Sequence, residues 1–250
     1  MKKIVFLSSF LLVPLLFSIS CSLDSKEYTR SMVTYYYAPD KLQLKEYQEN
    51  TIGVSLTGFE IIGSFRSEGS KSAYDRLCEK HNDMSYNRKI TIRGANPTPP
   101  NEFLYADLLS IEVSSDNDFD DIHPAGTSLN DLVMFLAVSP KKYIDSGYKN
   151  IYNWKKGNHE PATDRYFYSY YDQFADTDKN VPYHPVEKMV SDLNTEDLIL
   201  LGNGVYSVDW ILFLLRFNTL PTENKTHNIT VTLTTDEGEV FSDTINMVFE

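Results

Sequence analysis

The sequence predicts a mainly-β domain, a β-sandwich of immunoglobulin-like type carrying helical insertions. Three observations lead there. The C-terminus alternates apolar and polar residues on both sides of a turn, Val208 to Phe217 is an almost unbroken apolar run, and turn-forming residues punctuate the rest. Alternation marks a strand with one face in a core and one in water, whereas a continuous apolar run marks a strand buried on both faces. An α+β arrangement, with helices along one side of a sheet, is the alternative.

The hairpin is the clearest element. Ile229, Val231 and Leu233 alternate with Thr230, Thr232 and Thr234, then Thr235-Asp236-Glu237-Gly238 supplies a turn, and Phe241, Ile245, Met247 and Phe249 continue one face on the return. Upstream, Leu108 to Val113 reads as a core strand and Lys89 to Arg93 as an alternating strand ended by Gly94. Thr51 to Ser64 reads as two β-rich pieces broken at Gly58, and Tyr35-Tyr36-Tyr37 runs into a turn at Ala38-Pro39-Asp40. Asn96 to Pro100 contains three prolines, each without a ladder donor, and must be a loop.

Helical signals are fewer. Over Ser70 to His81, the residues Tyr74, Leu77, Cys78 and His81 share one helical face. Pro185 to Leu193 reads as a short helix with proline in its first turn, and His184, between Tyr183 and Pro185, as part of a turn. Thr127 to Asp131 offers a helix cap before Leu132 to Val138, and Lys141 to Gly157 is amphipathic. Helix and strand are both open across 129–157.

The chain has 250 residues, with 23 basic and 35 acidic side chains and a net charge of −12. Such a surface repels phosphate backbones and excludes nucleic acid as a partner. It offers no basic patch for anionic lipid either, so attachment to a membrane has to come from a lipid anchor.

The N-terminus supplies a place for one. Met1-Lys2-Lys3 is followed by the apolar run Ile4 to Phe17, interrupted by Ser8, Ser9 and Pro14, and then by Ser18-Ile19-Ser20 and Cys21. A charged start, an apolar stretch and small residues before a cut form the secretory pattern. The run is shorter than the ~20 residues of a membrane span. This layout resembles bacterial lipoprotein signals, whose cysteine becomes the lipidated first residue of the mature protein. Ser18 stands where those signals usually carry leucine, a position at which Bacteroidetes-type lipoproteins are looser. The resemblance implies that residues 1–20 are removed, that Cys21 is acylated (palmitate included), that residues 21–30 form a tether, and that residues 31–250 form a single domain of the cell envelope, held at the outer membrane. The mature net charge would be −14, because Lys2 and Lys3 leave with the signal.

With Cys21 acylated, Cys78 has no partner for an internal disulfide, and stability has to come from packing. On the apolar face of its helix, Cys78 reads as a core thiol rather than a nucleophile.

Leu108 to Asp131 carries a second resemblance. A strand is followed by Ser114-Ser115-Asp116-Asn117-Asp118-Phe119-Asp120 and then by His123-Pro124-Ala125-Gly126-Thr127-Ser128-Leu129-Asn130-Asp131. This stretch resembles a group of uncharacterised Bacteroidetes-type lipoproteins, and the likeness brings no function with it.

Two clusters are candidates for chemistry. Asp116, Asp118 and Asp120 alternate, with Asp121 adjacent, and carboxylates so spaced can converge on calcium. The calcium-loop pattern wants glycine at its sixth position and glutamate at its twelfth, where this chain has Asp121 and Thr127. The other reading is aspartates that bond their own backbone in turns. The second cluster is aromatic. Tyr166, Tyr168, Tyr170 and Tyr171, with Trp154 upstream, offer apolar faces and polar tips that suit sugar rings and protein partners alike. A half-buried strand would use the same residues for packing.

The histidines His81, His123, His159, His184 and His227 show no metal-binding pair four residues apart and read as structural. The chain holds no nucleophile elbow, phosphate loop or dinucleotide fingerprint. The resulting expectation is a lipid-anchored envelope protein that binds a glycan or another envelope protein. It needs no cofactor, calcium being the one ion its acidic loop could take. A polysaccharide hydrolase with catalytic carboxylates hidden among the acids is the alternative, and a structural envelope component the third reading.

Overall fold

Two sheets face one another across a shared apolar core, and the larger carries a helical layer on its other face. A computed structural model describes residues 26–91, 102–153, 180–201 and 211–250. In chain order its strands are β1 (Lys26–Thr29), β2 (Tyr35–Gln48), β3 (Thr51–Ser64), β4 (Arg88–Thr91), β5 (Glu102–Leu104), β6 (Leu108–Ser115), β7 (Val133–Ser139), β8 (Tyr152–Asn153), β9 (Asn180–Val181), β10 (His184–Met189), β11 (Phe213–Phe217), β12 (Thr226–Thr235) and β13 (Val240–Val248). The helices are α1 (Lys71–Lys80) and α2 (Lys141–Asp145). Among the described residues, no helix is long and apolar enough to cross a membrane.

The larger sheet runs β10-β7-β11-β3-β2-β5 and the smaller β13-β12-β6. Every pairing is antiparallel except β2 with β5. The domain is therefore the mainly-β sandwich with helical insertions that the patterning predicts. Ile111 and Val113 of β6, Ile229, Val231 and Leu233 of β12, and Met247 of β13 meet Ile52, Val54, Phe135, Phe213 and Leu215 of the larger sheet. Side chains alternate along a strand, so Leu136, Val138 and Leu214 point the other way. There they join Tyr74 and Cys78 of α1 and Ile144 of α2 in a second cluster. This two-sided burial explains why β7 is apolar from Val133 to Val138 and β11 at every position but Arg216.

Helix α1 lies close against β3 because Gly63 has no side chain. A Cβ there would sit 2.8 Å from the backbone nitrogen and Cα of Tyr74.

Four expectations are corrected. Pro185 to Leu193 is strand β10 followed by a 3-10 turn, Val190–Asp192, instead of a helix, and His184 begins that strand instead of sitting in a turn. β10 is the edge of its sheet, paired to β7 with Pro185 opposite Val138, and a sheet edge is where a strand tolerates proline. Ala38-Pro39-Asp40 does not end a strand, since β2 runs through it with Pro39 opposite Phe59, beyond the last residue paired to β5. Gly58 does not break β3; it sits inside it at φ +67°, with the Asp40 carboxylate occupying the space a Cβ would need. The undecided stretch 129–157 resolves, over its described part, into β7, α2 and β8. Asn96 to Pro100, and the start of the apolar run as far as Trp210, lie outside the described residues.

Candidate functional site

Cys21, Trp154, Tyr166, Tyr168, Tyr170 and Tyr171 lie outside the described residues. The acidic loop lies inside them, and its aspartates are occupied one by one. Asp116 accepts from the backbone and side-chain nitrogens of Asn228 at 2.8 and 2.7 Å. Asp118 accepts from the Ala125 amide at 2.8 Å, and Asp120 from the amides of Ile122 and His123 at 2.9 Å each. Asp120, accepting from amides two and three residues on, shows the Asx-turn chemistry of the second reading, whereas Asp116 and Asp118 hold backbone farther along the chain. The described residues contain no group of three or more His, Cys, Asp or Glu side chains disposed to hold a metal ion, so Asp116, Asp118 and Asp120 are not brought together as a ligand set.

The four described histidines are each tied into structure. His227 meets the Ser115 hydroxyl at 2.7 Å and the Asn224 carbonyl at 2.8 Å. His123 lies between Asp120 at 2.7 Å and Asp131 at 3.1 Å. Burial disfavours its charge, but those two carboxylates outweigh it and hold the imidazole above its ordinary value. Only the imidazolium donates from both ring nitrogens at once.

His81 forms a row with the geometry of a reactive one. Its Nε2 lies 3.0 Å from Asp107 and its Nδ1 3.3 Å from the Tyr36 hydroxyl. Acid, imidazole and hydroxyl in line share the arrangement that activates a nucleophile. Tyr36, however, is 0% exposed, and burial first, then the nearby acidic groups, push its phenol well above the usual value. No substrate reaches it, and the row is a structural one. Asp107 also accepts from Lys80 at 3.1 Å and from the Leu200 amide at 3.2 Å. Cys78, the thiol expected in the core, is buried, and that burial pushes it up to about 11.

What remains is a cleft of about 410 Å³ bounded by α2, β10, Tyr152 of β8 and a 3-10 turn, Thr195–Leu198. Two of its lysines are paired with carboxylates. Lys188 donates to Asp197 at 2.6 Å, and Lys141 to Asp145 at 2.5 Å with Glu196 at 3.9 Å. Asp197 is placed by a capping box, in which it accepts from the Asn194 amide at 3.0 Å while its own amide donates to the Asn194 side chain at 3.2 Å. His184 donates from Nε2 to the Asn150 carbonyl at 2.8 Å, and Tyr152 meets the His184 ring edge-on with centroids 5.4 Å apart. Burial, assisted by the charge of Lys142, holds His184 below its ordinary value against the pull of that carbonyl, so the ring is neutral at pH 7.

Sequence patterning assigns none of these cleft residues a binding role. Reading β10 as a helix puts Lys188 and Glu187 on a solvated surface. One signal does lie there: Asn194 followed three residues later by Asp197 is a cap pattern that marks the turn.

In sequence the aromatic candidates fall between β8 and β9. Tyr152 pairs with Val181 and Asn153 with Asn180, and Tyr152 lines the cleft. No protein-family model matches the chain, and no curated protein or solved structure matches it either.

Proposed function

We propose that this chain is a lipid-anchored protein of the bacterial cell envelope that works by binding, a glycan being the first candidate ligand and another envelope protein the second. The anchor rests on the secretory layout that ends at Cys21 and on the likeness of Leu108–Asp131 to Bacteroidetes-type lipoproteins. The binding reading is carried by one observation. The described domain offers a polar cleft lined on one side by Tyr152 of β8, the strand that precedes the tyrosine-rich segment in sequence. Asp145 and Asp197 are both neutralised by lysine, which suits holding a ligand better than delivering a proton.

Two measurements test this. Cys21→Ala should move the protein from the membrane fraction to the soluble fraction in its native host, and unchanged fractionation would refute the anchor. Tyr168→Ala together with Tyr170→Ala should weaken capture of envelope polysaccharide while leaving the melting temperature in place. A large fall in melting temperature would make those tyrosines core and remove them from the binding surface.

A further inference from the structure

We infer that the cleft recognises an uncharged, hydroxyl-rich ligand, a pyranose unit of a neutral oligosaccharide, with Tyr152 as its platform and the Lys188–Asp197 and Lys141–Asp145 pairs as clamps for its hydroxyls. This rests on the binding reading above and narrows it to one ligand class and one set of residues.

Charge is the first argument. The chain is strongly acidic, yet the cleft gathers three lysines against four carboxylates and is close to balanced. Lys188 and Lys141 are each already engaged by a carboxylate. An anionic ligand would have to lie beside Asp197 or Asp145 at either pair, like charge against like, with the exposed Lys142 at the rim as the cation left to meet it. A neutral ligand leaves both pairs intact.

Hydrogen-bond chemistry is the second. A hydroxyl donates once and accepts as well, so it fits beside an ammonium donor and a carboxylate acceptor held side by side. Charge-assisted bonds of this kind are also the stronger ones. Neighbouring hydroxyls on a sugar ring repeat that demand, and the cleft repeats the pair. Ser139 is excluded from this role, because its hydroxyl donates to the Ile199 carbonyl and accepts from the Lys141 amide. His184 donates through Nε2 to Asn150, which leaves Nδ1 of the neutral ring as an acceptor.

Shape is the third. Tyr152 is half-buried and steadied by the edge of His184, so its ring is an ordered apolar surface for the C–H face of a pyranose. The cleft volume of about 410 Å³ falls in the ~300–1,000 Å³ range of small-molecule sites.

The test uses the full chain in detergent, titrated calorimetrically with neutral oligomers of glucose, mannose, xylose and N-acetylglucosamine, and with tetragalacturonate as the anionic comparison. We expect at least one neutral oligomer to bind, with affinity insensitive to salt. Tyr152→Ala and Lys188→Met should each weaken it tenfold or more. Asp197 also caps its turn, so Glu196→Gln, on an exposed side chain, serves as the variant that spares the fold and should weaken binding about threefold. Tighter binding of tetragalacturonate, lost as salt rises, would overturn the neutral-ligand inference and leave the binding-module reading standing. Neutral binding that ignores all three variants would overturn the assignment to this cleft while still supporting a glycan-binding protein. Failure of every oligomer to bind would overturn the inference, and the fractionation of Cys21→Ala would still decide the anchor independently.

Discussion

Replacing Asp83 with alanine removes the acceptor at the centre of the domain's second core. Asp83 is 0% exposed and accepts from the Met32 amide at 3.0 Å, the Val33 amide at 3.3 Å, the Tyr148 hydroxyl at 2.7 Å and the Ser31 hydroxyl. The carboxylate therefore ties the turn after α1 to the segment entering β2. In the alanine variant the two hydroxyls can rotate towards other acceptors and the Val33 amide keeps the Ser31 hydroxyl oxygen at 2.9 Å, so the main loss falls on the bond from the Met32 amide. Removing the charged acceptor of a buried amide costs about 1–3 kcal/mol, so a loss of about 2–3 kcal/mol is expected. Against the ~5–15 kcal/mol of a typical domain that is a large fraction. Asp83→Asn keeps the shape and one acceptor but turns an NH₂ towards a donor, and should cost about 1–2 kcal/mol. Tyr148→Phe should cost about 1 kcal/mol, and combined with Asp83→Ala it should add less than that, because the bond is already gone. Urea unfolding followed by fluorescence gives all four values, provided the slope is unchanged between variants. An alanine variant that loses under about 1 kcal/mol, or an asparagine variant as damaged as the alanine one, would refute this account of the carboxylate.

Other consequences follow from named contacts. Gly63→Ala should destabilise by about 2–3 kcal/mol, read in the same urea assay, because the new methyl meets the backbone of Tyr74 and pushes α1 off the sheet. Held above its ordinary value, His123 stabilises the fold fully below the unfolded histidine value of ~6.5 and loses that contribution as pH rises through its raised folded value. The wild-type advantage over His123→Gln in melting temperature should therefore shrink between pH 6 and 8, and an advantage that grows would reverse the sign. Cys78, pushed up to about 11 by burial, should resist iodoacetamide at pH 8 in the native protein and react once urea unfolds it, as mass spectrometry would report.

The C-terminal hairpin was readable because alternation and turn agree over its whole length: β12 and β13 pair from Thr226 opposite Val248 to Thr234 opposite Val240. Helix α1 was readable for a similar reason, with Tyr74, Cys78 and His81 all buried on the face that the spacing predicts. What misled were single residues with strong local preferences. Pro39 and Pro185 argue for a turn and a helix start, yet each sits in a strand where the sheet has no need of its amide. Gly58 argues for a break, yet the β2–β3 register passes it without a shift, from Lys41 opposite Thr57 to Pro39 opposite Phe59, and its positive φ is accommodated inside the strand. Local propensity was overruled there by pairing with strands distant in sequence, which no local pattern encodes. The Asp116, Asp118 and Asp120 spacing could not distinguish a ligand set from three separate backbone acceptors, since that depends on where Asn228, Ala125 and His123 lie.

The position of the cleft follows from the same edge that proline marks. An open sheet edge presents unpaired amides and carbonyls and invites another strand to add to it. On β10, Pro185 removes one donor while Glu187 and Lys188 place charge along the strand, and all three discourage such pairing. The edge is closed to a polypeptide but remains a wall lined with polar groups. The capping box then fixes Asp197 against Lys188 from one side, and the Asn150 carbonyl fixes His184, and through it Tyr152, from the other. Asn150 lies two residues beyond Tyr148, whose hydroxyl is bound by Asp83. The buried carboxylate that stabilises the second core thus also sets one wall of the cleft. Tyr148→Phe should accordingly weaken ligand binding as well as stability, although Tyr148 does not line the cleft.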